Sequence, residues 1–453
     1  MTTSVFDAAH YVQDLASEGQ FRVHRDVFRD PHIFELEMEN IFEANWVFVG
    51  LASQLPNPND FITARVGRQP IIISRDKLGQ MQCHFNTCPH RGATLCRAQS
   101  GQAKSYVCPY HGWVFDSAGR NIGIKHRKQG EYAEQFENTS HDMKRVPRFD
   151  EYRGFLFASL NSDVLSLEEH LGDAKVFLDL IADQGDDGVE LIPGACAYTF
   201  RANWKLQLEN CLDNYHLTST HPSFIRIVER RKEGDSRHSL ATSDFNMLDD
   251  TVGGGFTFPF GHAVIWHGNP APHVRPLYSN IESVAKRVGR VKANWMLGVR
   301  NLSLFPNVQF AENISLQMRI IRPLAPDLTE MQVYCVAPRG EEAEAREIRI
   351  RQYEDFFSST GMATPDDLKV YEQCQDGYRA WSVSEQLGYH RGMNKVRQGP
   401  DEYADQLGIT PTTSVSGKFE IQDETIFHSG YREWLRLMGR EQRAAVSGEV
   451  EAK

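Results

Sequence analysis

Apolar residues change their spacing twice along this chain, and each spacing predicts a different architecture. From His32 to Trp46 they recur at helical intervals: Phe34, Met38, Ile41 and Phe42 fall on one face, with Glu35, Glu37 and Glu39 off it. From Asp60 to Ser159 the apolar runs are short and β-rich, as in Phe61–Val66, Ile71–Ser74 and Gly154–Ser159. Clusters such as Pro56-Asn-Pro-Asn-Asp60 and Ser117-Ala-Gly119 punctuate them as turns, so a small all-β domain is predicted here. After about Asn161 the texture becomes α+β. Leu165–Ala182 reads as a helix, and Leu304–Pro338 alternates as strands around a turn at Leu324-Ala-Pro-Asp-Leu328. Glu341–Phe357 reads as a charged helix with Ile348, Ile350, Tyr353 and Phe357 as its apolar positions.

Length and composition narrow the setting. At 453 residues the chain suits two unequal domains or three similar ones, and 41% hydrophobic residues can fill sizeable cores. A formal net charge of -11 argues against nucleic acid or an anionic membrane as a partner. The segment Met1–Gly19 carries Asp7, Asp14 and Glu18 and has no apolar run behind a basic patch, so no export signal is expected. No apolar stretch reaches the roughly 18 residues that a bilayer span requires. Scattered cysteines without an export signal fit the reducing cytoplasm. The charged segment beyond Gly439 is expected to fray as a flexible tail over 441–453.

Chemistry enters with Cys88-Pro-His90-Arg-Gly92 and Cys108-Pro-Tyr-His111-Gly-Trp113. Each half supplies one thiolate and one imidazole. Zinc also takes Cys and His, but zinc fingers usually pair cysteines in one half and histidines in the other. The mixed halves instead suit a Rieske [2Fe–2S] cluster, with two thiolates on one iron and two imidazoles on the other. Neutral imidazoles raise the reduction potential, so such a centre accepts an electron from a low-potential donor and passes it on. Cys83, Cys96, Cys196, Cys211, Cys335 and Cys374 show no second cluster spacing and read as small buried residues.

A second constellation is Glu209-Asn-Cys-Leu-Asp213-Asn-Tyr-His216-Leu-Thr-Ser-Thr-His221-Pro222. Two histidines five apart, closed by Pro222, suit a helix that breaks near the second. With a carboxylate they would form a set that binds Fe(II) and leaves positions open. Asp213, three residues before His216, stands one helical turn back, where a carboxylate can fix the imidazole's tautomer and orientation. Glu209 receives no role. His262, His267 and His273 lie in a Gly-, Pro- and aromatic-rich region and are either pocket residues or ordinary loop and core histidines. No Gly-x-Gly-x-x-Gly fingerprint follows a strand, so electrons must come from a separate reductase.

These motifs, in this order and over nearly the whole chain, resemble the large (alpha) subunit of Rieske-type aromatic-ring-hydroxylating oxygenases. The resemblance implies an α+β chain in which an all-β Rieske [2Fe-2S] domain precedes a helix-grip-like catalytic domain with an antiparallel sheet. The implied division is an N-terminal helical segment over 1–45 packing on the catalytic domain, a Rieske domain over 46–160 and a mononuclear iron domain over 161–440. By the same resemblance Cys88, His90, Cys108 and His111 hold the cluster, and His216 and His221 hold Fe(II). The third ligand falls in Gly361-Met-Ala-Thr-Pro-Asp366-Asp367, where Asp367 is the matching position, Asp366 the fallback, and helix capping the plain alternative. Asp213 matches the aspartate that bridges to the Rieske histidine of a neighbouring subunit, here His111.

The implied partners are a small aromatic substrate and O2, a small beta subunit in an (alpha-beta)3 assembly, and an NAD(P)H-dependent reductase with or without a ferredoxin. Leu36-Glu-Met-Glu, Gly67-Arg-Gln-Pro, and Ile350-Arg-Gln-Tyr-Glu-Asp-Phe-Phe resemble the benzoate, toluate and anthranilate dioxygenase branch; Leu171-Gly-Asp-Ala-Lys-Val-Phe-Leu-Asp and Ile321-Arg-Pro lean towards its anthranilate members. That branch implies cis-dihydroxylation of a benzoate- or anthranilate-like acid. Its iron segment carries small residues, whereas this chain has Cys211, Leu212 and Asn214 there, which keeps an aniline-like amine or monohydroxylation of a salicylate-like acid open. A Rieske electron carrier without catalytic iron is the reading from another class.

Overall fold

The computed structural model of the chain describes residues 6–233, 251–313, 315–386, 388–418 and 423–439; the tail expected over 441–453 lies outside them. The chain divides into two compact units, one of Phe42–Leu167 and one of Met1–Ile41 with Glu168–Lys453.

The smaller unit is built from short antiparallel strands. A four-stranded sheet runs in the order Met81–Phe85, Gln69–Arg75, Asp60–Val66, Ser100–Gln102. A three-stranded sheet joins Arg148–Tyr152, Phe155–Ser159 and Val47–Leu51, and another joins Asn121–Gly123, Val114–Asp116 and Ser105–Val107. Three consecutive isoleucines show why the unit folds this way. Strand side chains alternate between faces, so Ile71 and Ile73 enter a core with Val49, Leu55 and Leu156. Ile72 enters the opposite core, with Cys88, Cys108, Tyr106 and Trp113. All three are fully buried, each burial contributing roughly 1.5–3 kcal/mol. One strand thus ties the body of the domain to the floor beneath both Cys-His loops.

The larger unit holds, among the described residues, a ten-stranded sheet. Every pairing in it is antiparallel. The run Leu304–Pro338 resolves into Val308–Ala311, Gln317–Ala325 and Leu328–Pro338, with the turn at Pro326 and Asp327, and a further strand, Val299–Leu304, leads into it. Among the described residues no helix is long and apolar enough to cross a membrane.

The helices differ from their sequence readings in instructive ways. The first begins at Pro31, where the Asp30 carboxylate accepts from the amides of His32 and Ile33. It passes after Glu37 into a π-helical segment, Met38–Glu43, and does not reach Trp46. Glu37 is fully buried instead of lying on a polar face. Trp204 Nε1, Trp434 Nε1 and Lys205 Nζ donate to it at 2.9, 2.7 and 2.6 Å. Leu165–Ala182 is two helices, Leu167–Leu171 and Lys175–Ala182, separated by a 3-10 turn at Gly172–Ala174. In the helix Ala343–Phe356 the buried positions are Ala345, Arg349, Gln352, Tyr353 and Phe356. Ile348 is exposed, and Arg349 is buried because Glu341 pairs with it at 2.6 Å.

Candidate metal centres

The two Cys-His loops share one backbone design. Cys88 N donates to Ala93 O at 2.8 Å and Gly92 N to Cys88 O at 2.9 Å. Cys108 N donates to Trp113 O at 2.8 Å and Gly112 N to Cys108 O at 3.1 Å. Each turn closes through a glycine in the left-handed region, Gly92 at φ 76° and Gly112 at φ 70°, where a side chain is strained. The turns bury both cysteines and lift the histidines outward. The His90 and His111 rings stand 4.5 Å apart, and His90 stacks on Trp113 at 4.8 Å with planes 6° apart. Burial, with neighbouring Cys108, holds the Cys88 thiol above its ordinary pKa, so a metal is what stabilises thiolates there. His111 Nδ1 is buried without a hydrogen-bond partner among the described residues, which leaves it free to ligate. Two inner thiols and two outer imidazoles fit a Rieske cluster. The other six cysteines are free; Cys83, Cys211 and Cys335 are buried, and Cys96, Cys196 and Cys374 only partly so.

In the larger unit the helix Trp204–Asn210 starts at Asn203, whose side chain accepts from Lys205 N. It ends at Asn210, so Asp213 is not on a helical face as its spacing suggested. The chain turns, and Asp213 Oδ1 accepts from the amides of Tyr215 and His216 at 2.6 and 3.3 Å. His216 and His221 flank the four-residue helix Leu217–Thr220, and Pro222 opens the next helix. The ligand atoms of His216, His221 and Asp367 all lie within 4.8 Å of one another. His216 Nε2 and His221 Nε2 stand 3.5 and 3.1 Å from Asp367 Oδ1. Asp367 comes from the first turn of the helix Thr364–Gly377. Its side chain is 13% exposed, whereas that of Asp366 is 40% exposed and stands outside the trio, 3.6 Å from His221 Nδ1.

Two nitrogens and one carboxylate on a common centre fit Fe(II) with positions left open. Asp213 Oδ2 lies 3.1 Å from His216 Nδ1, on the far side of the ring. Burial opposes a charged His216, but the hydrogen bond and charge of Asp213, aided by Asp367, outweigh it and raise the imidazole pKa. A carboxylate there holds the ring with Nε2 inward.

The sequence reading passed over several neighbours. Asn210 Nδ2 lies 3.2 Å from Asp367 Oδ1 and 3.3 Å from His216 Nε2. Glu209 accepts from the Tyr389 hydroxyl at 2.9 Å and from the Tyr431 hydroxyl, and burial pushes its carboxyl up to about 7. A cavity of about 180 Å³ opens beside Glu209, Asn210, Asp213, His216 and Asp367, and Tyr389 and Glu424 also line it. Burial raises Glu424 to about 7 as well. His262, His267 and His273 do not line this cavity. His262 is buried with Nε2 3.1 Å from His170 O, His267 Nδ1 is 2.7 Å from Gly268 O, and His273 is exposed. Cys211 and Leu212 are buried outside the cavity lining.

Comparison with known proteins places this geometry in a lineage. The Rieske [2Fe-2S] domain family matches residues 45–147, and the ring hydroxylating alpha subunit (catalytic domain) family matches residues 191–409. The 2-halobenzoate 1,2-dioxygenase large subunit of Burkholderia cepacia is 40% identical over 432 residues, covering 95% of this chain and 92% of that one. The chain belongs to the ring-hydroxylating oxygenase alpha subunits. The anthranilate 1,2-dioxygenase large subunit of Acinetobacter baylyi is also 40% identical, over 93% of this chain and 90% of its own. The structure of naphthalene 1,2-dioxygenase with indole bound superposes with a TM-score of 0.77 at 25% identity, covering 92% of each chain. This alpha subunit is therefore a Rieske non-heme iron oxygenase component, with a [2Fe-2S] cluster and a mononuclear iron. It is one part of a multi-component oxygenase with beta subunit and reductase partners. Membership closes the zinc and pure electron-carrier alternatives.

Proposed function

We propose that this alpha subunit cis-dihydroxylates a benzoate- or anthranilate-like aromatic acid, with Fe(II) held by His216, His221 and Asp367 and the cluster by Cys88, His90, Cys108 and His111. The convergence of His216, His221 and Asp367 to within 4.8 Å beside a cavity of about 180 Å³ supports this reading. When bound, the metals supply O2 activation and one-electron delivery. The chain supplies the rest. Asp213 holds His216 from behind, Asn210 stands at the ligand oxygen of Asp367, and the partly buried Glu209 sits where a proton can be kept near neutral pH. Asp213 also reaches His111 of a neighbouring copy in an (alpha-beta)3 assembly. Electrons arrive from an NAD(P)H-dependent reductase, with or without a ferredoxin, in the cytoplasm. The division of labour is 46–160 for the cluster and 161–440 for the iron, with 1–45 joined to the iron domain, as the place of Glu37 among Trp204, Lys205 and Trp434 supports.

The test is the reconstituted system, with beta subunit, reductase and NADH, given benzoate, 2-halobenzoates, anthranilate, salicylate and aniline. Diol or catechol formation coupled to O2 uptake is expected from the benzoates or anthranilate. Turnover of aniline alone, or monohydroxylation of salicylate alone, would replace the reading.

Asp213→Ala is expected to keep its iron and lose roughly 10- to 100-fold in product formation, the usual effect of removing a partner that orients a metal ligand. Product analysis beside an iron assay checks it. Wild-type rates in the variant would remove Asp213 from the mechanism.

A further inference from the structure

Arg319 sits mid-sheet in the strand Gln317–Ala325, opposite Gln309 on one side and Val333 on the other. It is 8% exposed. The other buried Arg and Lys side chains among the described residues have partners: Lys205 has Glu37, Arg300 has Glu312, Arg349 has Glu341, and Arg275 has the carbonyls of Gly298, Glu312 and Asn313. Arg319 has no carboxylate partner among the described residues. Its hydrogen bond there runs from Nε to Gln317 Oε1 at 2.7 Å, and its guanidinium carbon lies 5.0 Å over the Phe357 ring. Gln317 Nε2 donates to Phe357 O at 3.4 Å, and the Thr364 hydroxyl donates to the same oxygen at 3.2 Å. Thr364 opens the helix that carries Asp367.

The guanidinium is therefore fixed at Nε and along one face, and its two terminal nitrogens remain. Neither is among the buried polar atoms that packing seals off without a partner. A buried cation lacking an anion is costly, and the free edge of a guanidinium is the fork that matches a carboxylate in bidentate fashion. Its place relative to the iron site follows from its neighbours. Its strand partner Gln309, on the same face of the sheet, donates through Nε2 to Gln207 O and Leu208 O at 3.1 and 3.3 Å, just before Asn210, and the Phe357 that its guanidinium covers accepts at its carbonyl from Thr364, three residues before Asp367.

We infer that Arg319, which stands outside the lining of the cavity beside Glu209 and Asp213, is the residue that recognises the substrate's carboxylate, its two terminal nitrogens taking the two oxygens of an aromatic acid that reaches His216, His221 and Asp367 from the side of the sheet. The inference rests on the aromatic-acid reading and sharpens it, because an aniline offers this cation no anion. Gln317 and Phe357 set the angle of the fork.

The experiment compares wild type, Arg319→Met and Arg319→Lys in the full oxygenase with beta subunit and reductase, on benzoate and anthranilate and on their neutral amides. Arg319→Met is expected to raise KM for the acid at least about 100-fold, the scale of a lost buried charge pair. The amide's kinetics should stay within about threefold, and the iron content and cluster absorption should not change. Arg319→Lys keeps the charge and loses the fork, so an acid KM raised roughly tenfold is expected. If the Met variant is insoluble, the Lys variant decides on the same criterion. An acid KM within about threefold of wild type, or equal losses on acid and amide, overturns the inference and leaves a structural arginine. A wild type that oxidises the amides and neither acid overturns the aromatic-acid reading itself, and Arg319's role with it.

Discussion

Asp367→Ala is expected to abolish oxygenation and to lower the iron content from about three atoms per chain to about two, while the cluster absorption survives. Asp367 Oδ1 is the point on which both Nε2 atoms close, at 3.5 and 3.1 Å, so its loss leaves two imidazoles without the anionic member of the set. Asp366 cannot replace it, because its carboxylate faces the outer nitrogen of His221 and is 40% exposed. Partners that merely orient a ligand cost about 10- to 100-fold when removed, so loss of the ligand should cut product formation by more than about 100-fold. Iron and acid-labile sulfide assays with product analysis check this. A variant that keeps the third iron and more than about a tenth of the turnover would hand the role to Asp366, and Asp366→Ala would then show the loss.

The second large effect concerns stability. Lys205→Met is expected to destabilise the larger unit by about 3–5 kcal/mol, the cost of leaving one member of a buried ion pair unpaired. Lys205 and Glu37 are 1% and 0% exposed and 2.6 Å apart, and burial lowers the Lys205 pKa against the pull of Glu37. The indole donors of Trp204 and Trp434 would remain on Glu37, but neither carries charge. Because Lys205 lies on the helix that runs into Asp213 and His216, weakened iron retention should accompany the lower denaturation midpoint. Adding Glu37→Gln to Lys205→Met removes the stranded charge and should recover most of the loss. A single variant within about 1 kcal/mol of wild type would show that the pair contributes little.

What the sequence made legible is what is local in the chain. The cluster loops are complete within a few residues each, since cysteine, histidine and the turn glycine are all in one motif. The His216/His221 pair is nearly as local, and the folded chain adds only that a four-residue helix sits between the two. Asp367 was reachable through family resemblance and not through spacing, because its partners lie far back in the chain, on either side of a different helix. Glu37 was misread because a helical wheel sees periodicity and not Lys205, which arrives from a distant segment to neutralise it. Ile348 and Arg349 were exchanged for the same reason, Glu341 making a buried arginine tolerable. Asp213 was given a helical position that the chain abandons at Asn210, although the residue still reaches His216. Tyr389, Tyr431 and Arg319 left no signal, being single residues whose meaning comes only from what the fold sets opposite them.

Insertion of oxygen into an aromatic acid at the centre built from His216, His221 and Asp367 is the step on which the proposed function stands. A single turnover tests it most directly. The protein, loaded with iron, joined to its beta subunit and reduced without air, is mixed with ¹⁸O2 and benzoate, anthranilate or a 2-halobenzoate, and the product is weighed by mass spectrometry. A diol or catechol carrying both labelled atoms is expected from at least one of these acids, and none from Asp367→Ala. Reoxidation of the cluster with no oxygenated product from any acid would contradict it.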